Sequence, residues 1–366
     1  MNVPFVDLHH AHAEVAAEVQ VGWSSVLART AFIAGEEVDA FEREYAQFCQ
    51  VPHCIGVGNG TDALELCLRA VGVGAGDEVI LPANTFIATA EAVRRTGAVP
   101  VLADCDPVHL LLDPHSALER VTPRTRAIMP VHLFGQCAPV ETLEGELPEN
   151  VVLIEDAAQA QGALRHGRPA GGLGALAGTS FYPGKNLGAY GDAGAVTTWS
   201  SDVAQRVRAM RNHGGESKYD HQVLGVNSRL DTLQAVVLSA KLKRLAAWNE
   251  QRRQAAARYA SLLADLPDIV TPSAMEGNEH VWHLYVVQLP RRDQVLAAMQ
   301  AAGIGVGIHY PQPVHRTPAF ADLAGAGACL KVSENAAERI LSLPMFPSIT
   351  ADQQERVVAA LREALG

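Results

Sequence analysis

The sequence predicts an α/β protein built on a mostly parallel β-sheet. Apolar runs such as Val79–Leu81 and Val151–Ile154 have no polar residue in alternate positions. Strands of this kind are buried on both faces, which happens when crossover helices cover a parallel sheet. With 366 residues, 48% of them hydrophobic, the chain can also build a large core and more than one domain.

Strand and helix patterns alternate through the first half of the chain. Val38, Phe41, Tyr45 and Phe48 share one helix face, and residues 54–64 predict a strand, a glycine-rich turn and a helix. Further strands are predicted at 79–81, 99–103, 127–131, 151–154, 179–182 and 194–198. Helices are predicted between them at 89–95, 114–120 and 140–145. In such sheets ligands bind beyond the carboxyl ends of the strands, so functional residues are expected in the loops that follow them.

The second half predicts a smaller domain joined to the first by helix. Residues 202–265 are mainly helical in pattern, with an apolar stripe from Leu230 to Leu245. A strand at 284–289, a helix at 293–302 and a strand-like run at 306–309 follow. The last helix is predicted at 350–364, with Thr350 as N-cap and Gln353 in the capping-box position. We expect a large domain at 1–245 and a small domain at 246–366.

Charge and cysteine content exclude several classes of protein. The formal charge of −11 disfavours nucleic acid or an anionic membrane as the main partner. The six cysteines form no Cys-x-x-Cys pair, which indicates reduced thiols, a cytoplasmic protein and no zinc site. Met1–Pro4 does not begin a signal segment, and no apolar run is long enough to span a membrane.

The turn Gly58-Asn59-Gly60-Thr61 is a candidate phosphate site. It follows a strand and begins a helix, where free backbone N–H groups and the helix dipole favour an anion. A dinucleotide site would require a third glycine and an acidic residue at the end of the next strand, but Asp77 and Glu78 precede that strand. A tight turn without a ligand remains an alternative.

Lys185 lies in a loop between Gly184 and Gly188. A lysine amine held near a ligand can form a Schiff base with an aldehyde, although a solvated surface charge is the simpler reading of one loop lysine. The loop is not a P-loop, because the spacing from Gly178 to Gly184 is one residue too long. Asn186 also stands where a P-loop has Ser or Thr.

Three more residues complete a constellation. Asp156 ends an apolar strand. Its carboxylate could serve as a helix N-cap, or it could keep the nitrogen of a bound pyridine ring protonated. Phe86 could stack on a ring or belong to the core, and Ser180 could bind a phosphate. A phosphate turn, a stacking aromatic ring, a carboxylate and a Schiff-base lysine together match pyridoxal phosphate (PLP), whose protonated pyridine is an electron sink.

Four stretches of the chain resemble the DegT/DnrJ/EryC1/StrS family, whose members are PLP-dependent sugar aminotransferases of fold type I. These stretches are 58–64, 155–159, 180–188 and 225–231, and the resemblance extends over essentially the whole chain. It implies a seven-stranded, mostly parallel sheet in a large domain, a smaller C-terminal α/β domain, and a homodimer with its active site at the subunit interface.

The resemblance also implies roles for individual residues. Lys185 would form the Schiff base, Asp156 would pair with the pyridinium nitrogen, and Gln159 would lie near the ring hydroxyl. Phe86 would stack on the ring. The phosphate would be held by Gly60, Thr61 and Ser180, and by Asn227 of the neighbouring subunit. Family members with histidine in place of the lysine are dehydratases, so Lys185 favours transamination.

The expected substrates are L-glutamate and a nucleotide-linked keto-sugar. The stretch 182–186 most resembles aminotransferases that act at C3 of dTDP-linked 3-keto-6-deoxyhexoses. Candidate substrate contacts are Tyr182, Arg229, His309, Tyr310 and His315. A 4-keto-sugar remains an alternative, as does a racemase, decarboxylase or lyase of the same fold. A PLP-binding regulator without catalysis is an alternative of another class.

Overall fold

The computed structural model describes residues 2–215, 219–323 and 329–366. Its main feature is a seven-stranded sheet with the spatial order β1-β7-β6-β5-β4-β2-β3. The strands are β1 (His53–Val57), β2 (Glu78–Pro82), β3 (Val99–Ala103), β4 (Thr125–Ile128), β5 (Val152–Asp156), β6 (Leu176–Ser180) and β7 (Gly194–Thr198). Only β7 runs antiparallel to its neighbours. The expected mostly parallel seven-stranded sheet is therefore confirmed.

Helices cover both faces of this sheet. They include α2 (Glu36–Phe48), α3 (Gly60–Ala70), α4 (Ile87–Arg95), α5 (Pro114–Leu118), α6 (Val140–Glu144), α7 (Ser201–Arg211) and α8 (Thr232–Leu263). Helix α1 (His9–Arg29) packs on α8. Leu64, Leu66 and Leu68 of α3 pack into one apolar cluster with β1 and β2, and Phe41 and Tyr45 of α2 pack into another with Phe181. Burial on both faces explains why the strands are continuously apolar.

The C-terminal part contains a second, smaller sheet. Strand β8 (Tyr285–Gln288) pairs antiparallel with β9 (Ile340–Leu343), and α9 (Arg292–Ala301), α10 (Lys331–Arg339) and α11 (Ala351–Leu365) complete this part. The predicted capping box of the last helix is present, since Thr350 and Gln353 bond each other's backbone. Short 3-10 turns occur at Leu133–Gly135, Val314–Arg316 and Pro318–Leu323, and two-residue strands at Leu164–Arg165, Arg168–Pro169 and Asn278–Glu279.

Several sequence predictions differ from the structure. The strand predicted at 127–131 lies at Thr125–Ile128. The run 306–309 is not a strand and contributes a single bridge from Gly307 to Ser342. Between α7 and α8 the described residues are not helical. Strand β6 ends at Ser180 rather than at Tyr182, because Tyr182 already belongs to the tight loop that follows.

The N-terminal segment crosses to the C-terminal part, where Val3 bridges Ile304 and is buried in the same cluster as Tyr259 and Tyr285. Among the described residues, no helix is both long and apolar enough to cross a bilayer.

Candidate active site

A cavity of about 900 Å³ lies at the carboxyl ends of the parallel strands. It brings together most of the residues that the sequence singles out. Those that line it are Gly60, Thr61, Phe86, Asp156, Gln159, Ser180, Tyr182, Lys185, His309 and Tyr310. The loops after β1, β2, β5 and β6 supply most of this set, as expected for a parallel sheet.

The glycine-rich turn places a helix N-terminus against Ser180. Asn59 caps α3 by accepting a hydrogen bond from the backbone of Asp62. A Cβ on Gly60 would stand 2.5 Å from the Cβ of Ser180, so only glycine permits this approach. The free N–H groups of the first turn, the Thr61 side chain and the Ser180 hydroxyl therefore face one space, which suits a phosphate.

Asp156 occupies the buried end of β5. The Thr89 hydroxyl donates a hydrogen bond to its Oδ2 at 2.8 Å, and the backbone N–H of Ala158 donates to its Oδ1 at 3.2 Å. Burial raises the pKa of Asp156, while these two donors and Lys185 act in the opposite direction. A cationic partner in the cavity would stabilise the ionised form, and a protonated pyridine nitrogen is such a partner.

Lys185 projects from a tight loop between β6 and β7. Its backbone N–H donates to the carbonyl of Tyr182 at 2.8 Å, and that of Ala189 donates to Phe181 at 2.8 Å, which closes the loop. Burial lowers the pKa of Lys185 to about 8, with Asp156 opposing the shift. A lysine with such a pKa is partly neutral near physiological pH and can act as a nucleophile or a base.

Aromatic residues form another wall of the cavity. Phe86, half-exposed, lies 5.2 Å from Tyr310 between ring centroids. Gln159 is tied at both ends, because its Oε1 accepts from the N–H of Phe134 at 2.7 Å and its Nε2 donates to the Tyr310 hydroxyl at 2.9 Å. Its amide is thus held in one orientation at the cavity wall.

Three predicted residues do not line this cavity. Asn227 is exposed and bridges Asn212. Arg229 lines a separate cavity of about 490 Å³ and donates to the Asn212 side chain at 3.2 Å. His315 is buried against Glu334, with 2.9 Å between the ring nitrogen and the carboxylate. Within one chain, none of the three reaches Lys185.

Two further residues contribute to the site without a signal in the sequence. Thr89 is completely buried within α4, where its hydroxyl donates to Asp156 and also bonds the hydroxyl of Thr85, which lines the cavity. His283 lines the cavity from the segment before β8, a long way in sequence from the other residues. Neither stands in a motif or at a strand end, so only the tertiary fold brings them to the site.

The cavity fits PLP in its donor set. It offers an anion-binding helix N-terminus whose glycine a Cβ would block, a buried carboxylate, an aromatic wall and a lysine of lowered pKa. No group of three or more potential metal ligands occurs in the described chain. Fold and cavity together define a PLP-dependent transferase.

The chain belongs to the DegT/DnrJ/EryC1/StrS aminotransferase family, whose model matches residues 14–362. Aminotransferases of this family use PLP, and one solved relative holds pyridoxamine phosphate. The protein is therefore a PLP-dependent sugar aminotransferase.

Individual relatives are similar over nearly their whole lengths. The dTDP-3-amino-3,4,6-trideoxy-alpha-D-glucose transaminase of Streptomyces venezuelae is 44% identical over 363 residues, which are 99% of this chain and 96% of that protein. The crystal structure of S. venezuelae DesV with a ketimine intermediate superposes with a TM-score of 0.96 at 44% identity, covering 99% of this chain and 98% of that one. A protein of Geobacillus stearothermophilus described as a pleiotropic regulatory protein is also 44% identical, over 99% of this chain and 98% of its own.

Proposed function

We propose that the protein transfers an amino group from L-glutamate to C3 of a dTDP-linked 3-keto-6-deoxyhexose, within deoxysugar or antibiotic biosynthesis. The observation that carries this proposal is Lys185, with a lowered pKa, in the same cavity as the buried Asp156. The choice of C3 and of a dTDP-sugar is supported by the names of similar enzymes from Streptomyces and Micromonospora. A 4-keto-sugar is the alternative for the acceptor.

The cofactor would supply an aldehyde that condenses with amines and a protonated ring that withdraws electrons from the adjacent carbon. The chain's own residues do the rest. Asp156 provides a fixed negative charge for the ring nitrogen, and Thr89 orients the Asp156 carboxylate. Gly60, Thr61 and Ser180 would bind the phosphate, and Phe86 would stack on the ring's face, since all four residues line the cavity.

Lys185 moves the proton. In its neutral form the amine takes the proton from the α-carbon of the donor amino acid, and its lowered pKa makes this form available near pH 8. In the second half-reaction the amine would act in the reverse direction, because its protonated form would donate the proton to the former carbonyl carbon of the sugar. Tyr182, His309 and Tyr310 lie around the space in which the sugar would be held.

Several finer features belong to the same proposal. We infer a homodimer in which Asn227 of each chain reaches the partner's phosphate and Arg229 the partner's substrate, which is consistent with their place outside this chain's cavity. His315 would stabilise the loop 309–315 through its contact with Glu334 and would not contact the substrate.

The proposed boundary between the large and the small domain, near residue 245, would fall within α8. A cytoplasmic location fits the six unpaired cysteines.

The test is a two-step absorbance titration of the PLP-loaded protein. L-Glutamate should convert the cofactor band to the shorter-wavelength pyridoxamine form, and a dTDP-3-keto-6-deoxyhexose should restore it. Recovery with the 4-keto isomer alone would assign the alternative regiochemistry.

A regulator is the second candidate, favoured by the description of the Geobacillus relative. A regulator would bind PLP and leave the band unchanged with every amino donor tried. That result would overturn the proposed transamination.

A further inference from the structure

A chain of buried amides supports the loop that carries Lys185. Asn186 follows the lysine directly, and its Nδ2 donates to Asn249 Oδ1 at 2.9 Å and to the carbonyl of Val281 at 3.0 Å. Asn249 in turn donates from its Nδ2 to the carbonyl of Gln161 at 3.0 Å. Both asparagines are more than nine-tenths buried, so their bonds are not exchanged with water.

The two backbone carbonyls fix the orientation of both amides. A carbonyl oxygen can only accept, so the atom of Asn186 that faces Val281 must be its NH₂ group, and the same holds for Asn249 facing Gln161. The remaining atom of the Asn186 amide is therefore its oxygen. That oxygen lies 3.1 Å from Nδ1 of His283.

This geometry assigns the tautomer of His283. Because Asn186 Oδ1 can only accept, Nδ1 of His283 must carry the hydrogen and donate it. In a neutral imidazole the other nitrogen, Nε2, is then an acceptor with a free lone pair. Nε2 has no hydrogen-bond partner among the described residues, and it is not sealed within the core.

His283 lines the same cavity as Lys185, and the ring is held neutral there. Burial lowers its pKa most, and the positive charges of Lys185 and Arg252 lower it further, as do His309 and His280. The imidazole can therefore accept a hydrogen bond but cannot keep a proton at neutral pH.

We propose that His283 is a positioning residue, whose Nε2 accepts a hydrogen bond from the ε-amino group of Lys185 after the donor amino acid has displaced that amine from the cofactor. The Asn186–His283 pair would thus hold the amine in place for proton transfer. The proposal rests on the proposed function, since it assigns the orientation of the same lysine. If His283 were only a packing residue, its Nε2 would have no hydrogen-bond partner at any stage of the reaction.

The first experiment measures the tautomer and does not depend on turnover. Long-range ¹H–¹⁵N spectra of histidine-labelled protein, with and without PLP, are compared with those of His283→Gln to assign one signal among the 14 histidines. We expect a neutral Nδ1–H tautomer across pH 6–8 (a range of about two units around the ordinary histidine pKa). An Nε2–H tautomer, or a protonated ring, would overturn the proposal even if transamination is confirmed.

The second experiment separates the two half-reactions in rapid-mixing assays. His283→Phe keeps the ring's volume without an acceptor, and His283→Gln places an amide oxygen near the position of Nε2. We expect His283→Phe to slow the glutamate half-reaction by about tenfold or more, with PLP affinity unchanged, and His283→Gln to recover most of the rate.

An unchanged glutamate half-reaction in His283→Phe would contradict the assignment. So would a defect confined to the sugar half-reaction, because Nε2 would then contact the sugar. If wild-type protein shows no half-reaction with any donor while the tautomer is as expected, the proposed function fails and not the geometry of His283.

Discussion

The hydroxyl of Thr89 donates a 2.8 Å hydrogen bond to Oδ2 of Asp156, although the two residues lie 67 positions apart in the chain. Thr89 is completely buried in α4 and does not line the cavity. The bond fixes the carboxylate at the end of β5 and favours its ionised form, which the proposed pyridinium contact requires.

Replacing Thr89 with valine tests this relationship, since valine keeps the shape and removes the donor. We expect Thr89→Val to weaken PLP binding by about tenfold, because a hydrogen bond to a charged group contributes on the order of 1.5 kcal/mol or more. Fluorescence titration with PLP measures the affinity. Thr96→Val is the matched control, because that hydroxyl donates only to the carbonyl of Val93 at the end of the same helix. Equal affinities in both variants would show that Thr89 has no influence on the cofactor.

Glycine at position 60 is the second target. In Gly60→Ala the new Cβ would stand 2.5 Å from the Cβ of Ser180, so strand and helix must separate where the phosphate would bind. We expect a loss of PLP affinity of at least about tenfold together with a lower melting temperature. In Gly145→Ala the new Cβ meets no atom within 4 Å, and this control should behave like the wild type. Normal PLP binding by Gly60→Ala would remove this turn from the phosphate site.

Local sequence signals were sufficient to place the main groups of the cavity. Ser180, Lys185 and Asp156 each follow or end a recognisable apolar strand, and the carboxyl ends of parallel strands meet at one edge. The rule needs no knowledge of side-chain packing. The boundary of β6 was misplaced by two residues, because the apolar Phe181 and Tyr182 continue the strand pattern into the loop.

Residues that act through others could not be found in this way. Thr89 and His283 reach the site only after α4 and the segment before β8 are packed, and neither position carries a periodic or motif signal. Asn227 and Arg229 show the opposite case. The family resemblance places Asn227 at the phosphate of the neighbouring subunit, and Arg229 is a candidate substrate contact. Within a single chain both residues lie outside the cavity.

The pH dependence of the glutamate half-reaction should report the pKa of Lys185. The lysine acts in its neutral form, and its pKa is lowered from 10.5 to about 8. The rate should therefore be low at acidic pH, rise as pH increases through about 8, and then level off. Stopped-flow measurements at saturating glutamate over a series of pH values measure this rise in rate. Lys243 is exposed, so Lys243→Met is the control and should show the same pH dependence as the wild type. A rate that is flat between pH 6 and 9 would contradict the assignment (a window of about one to two units on either side of that pKa).

Complementation between two inactive variants tests the proposed shared site. Lys185→Ala removes the catalytic amine, and Asn227→Ala removes the proposed phosphate contact to the partner's site. Each homodimer should be impaired, but a mixed dimer would contain one site with Lys185 from one chain and Asn227 from the other. Random re-association should give half mixed dimers with one intact site of two, or about a quarter of the wild-type activity. If tag-purified mixed dimers are no more active than the parent variants, Asn227 does not act across the interface. The exposed Asn227 would then have no role in binding the phosphate of the partner subunit.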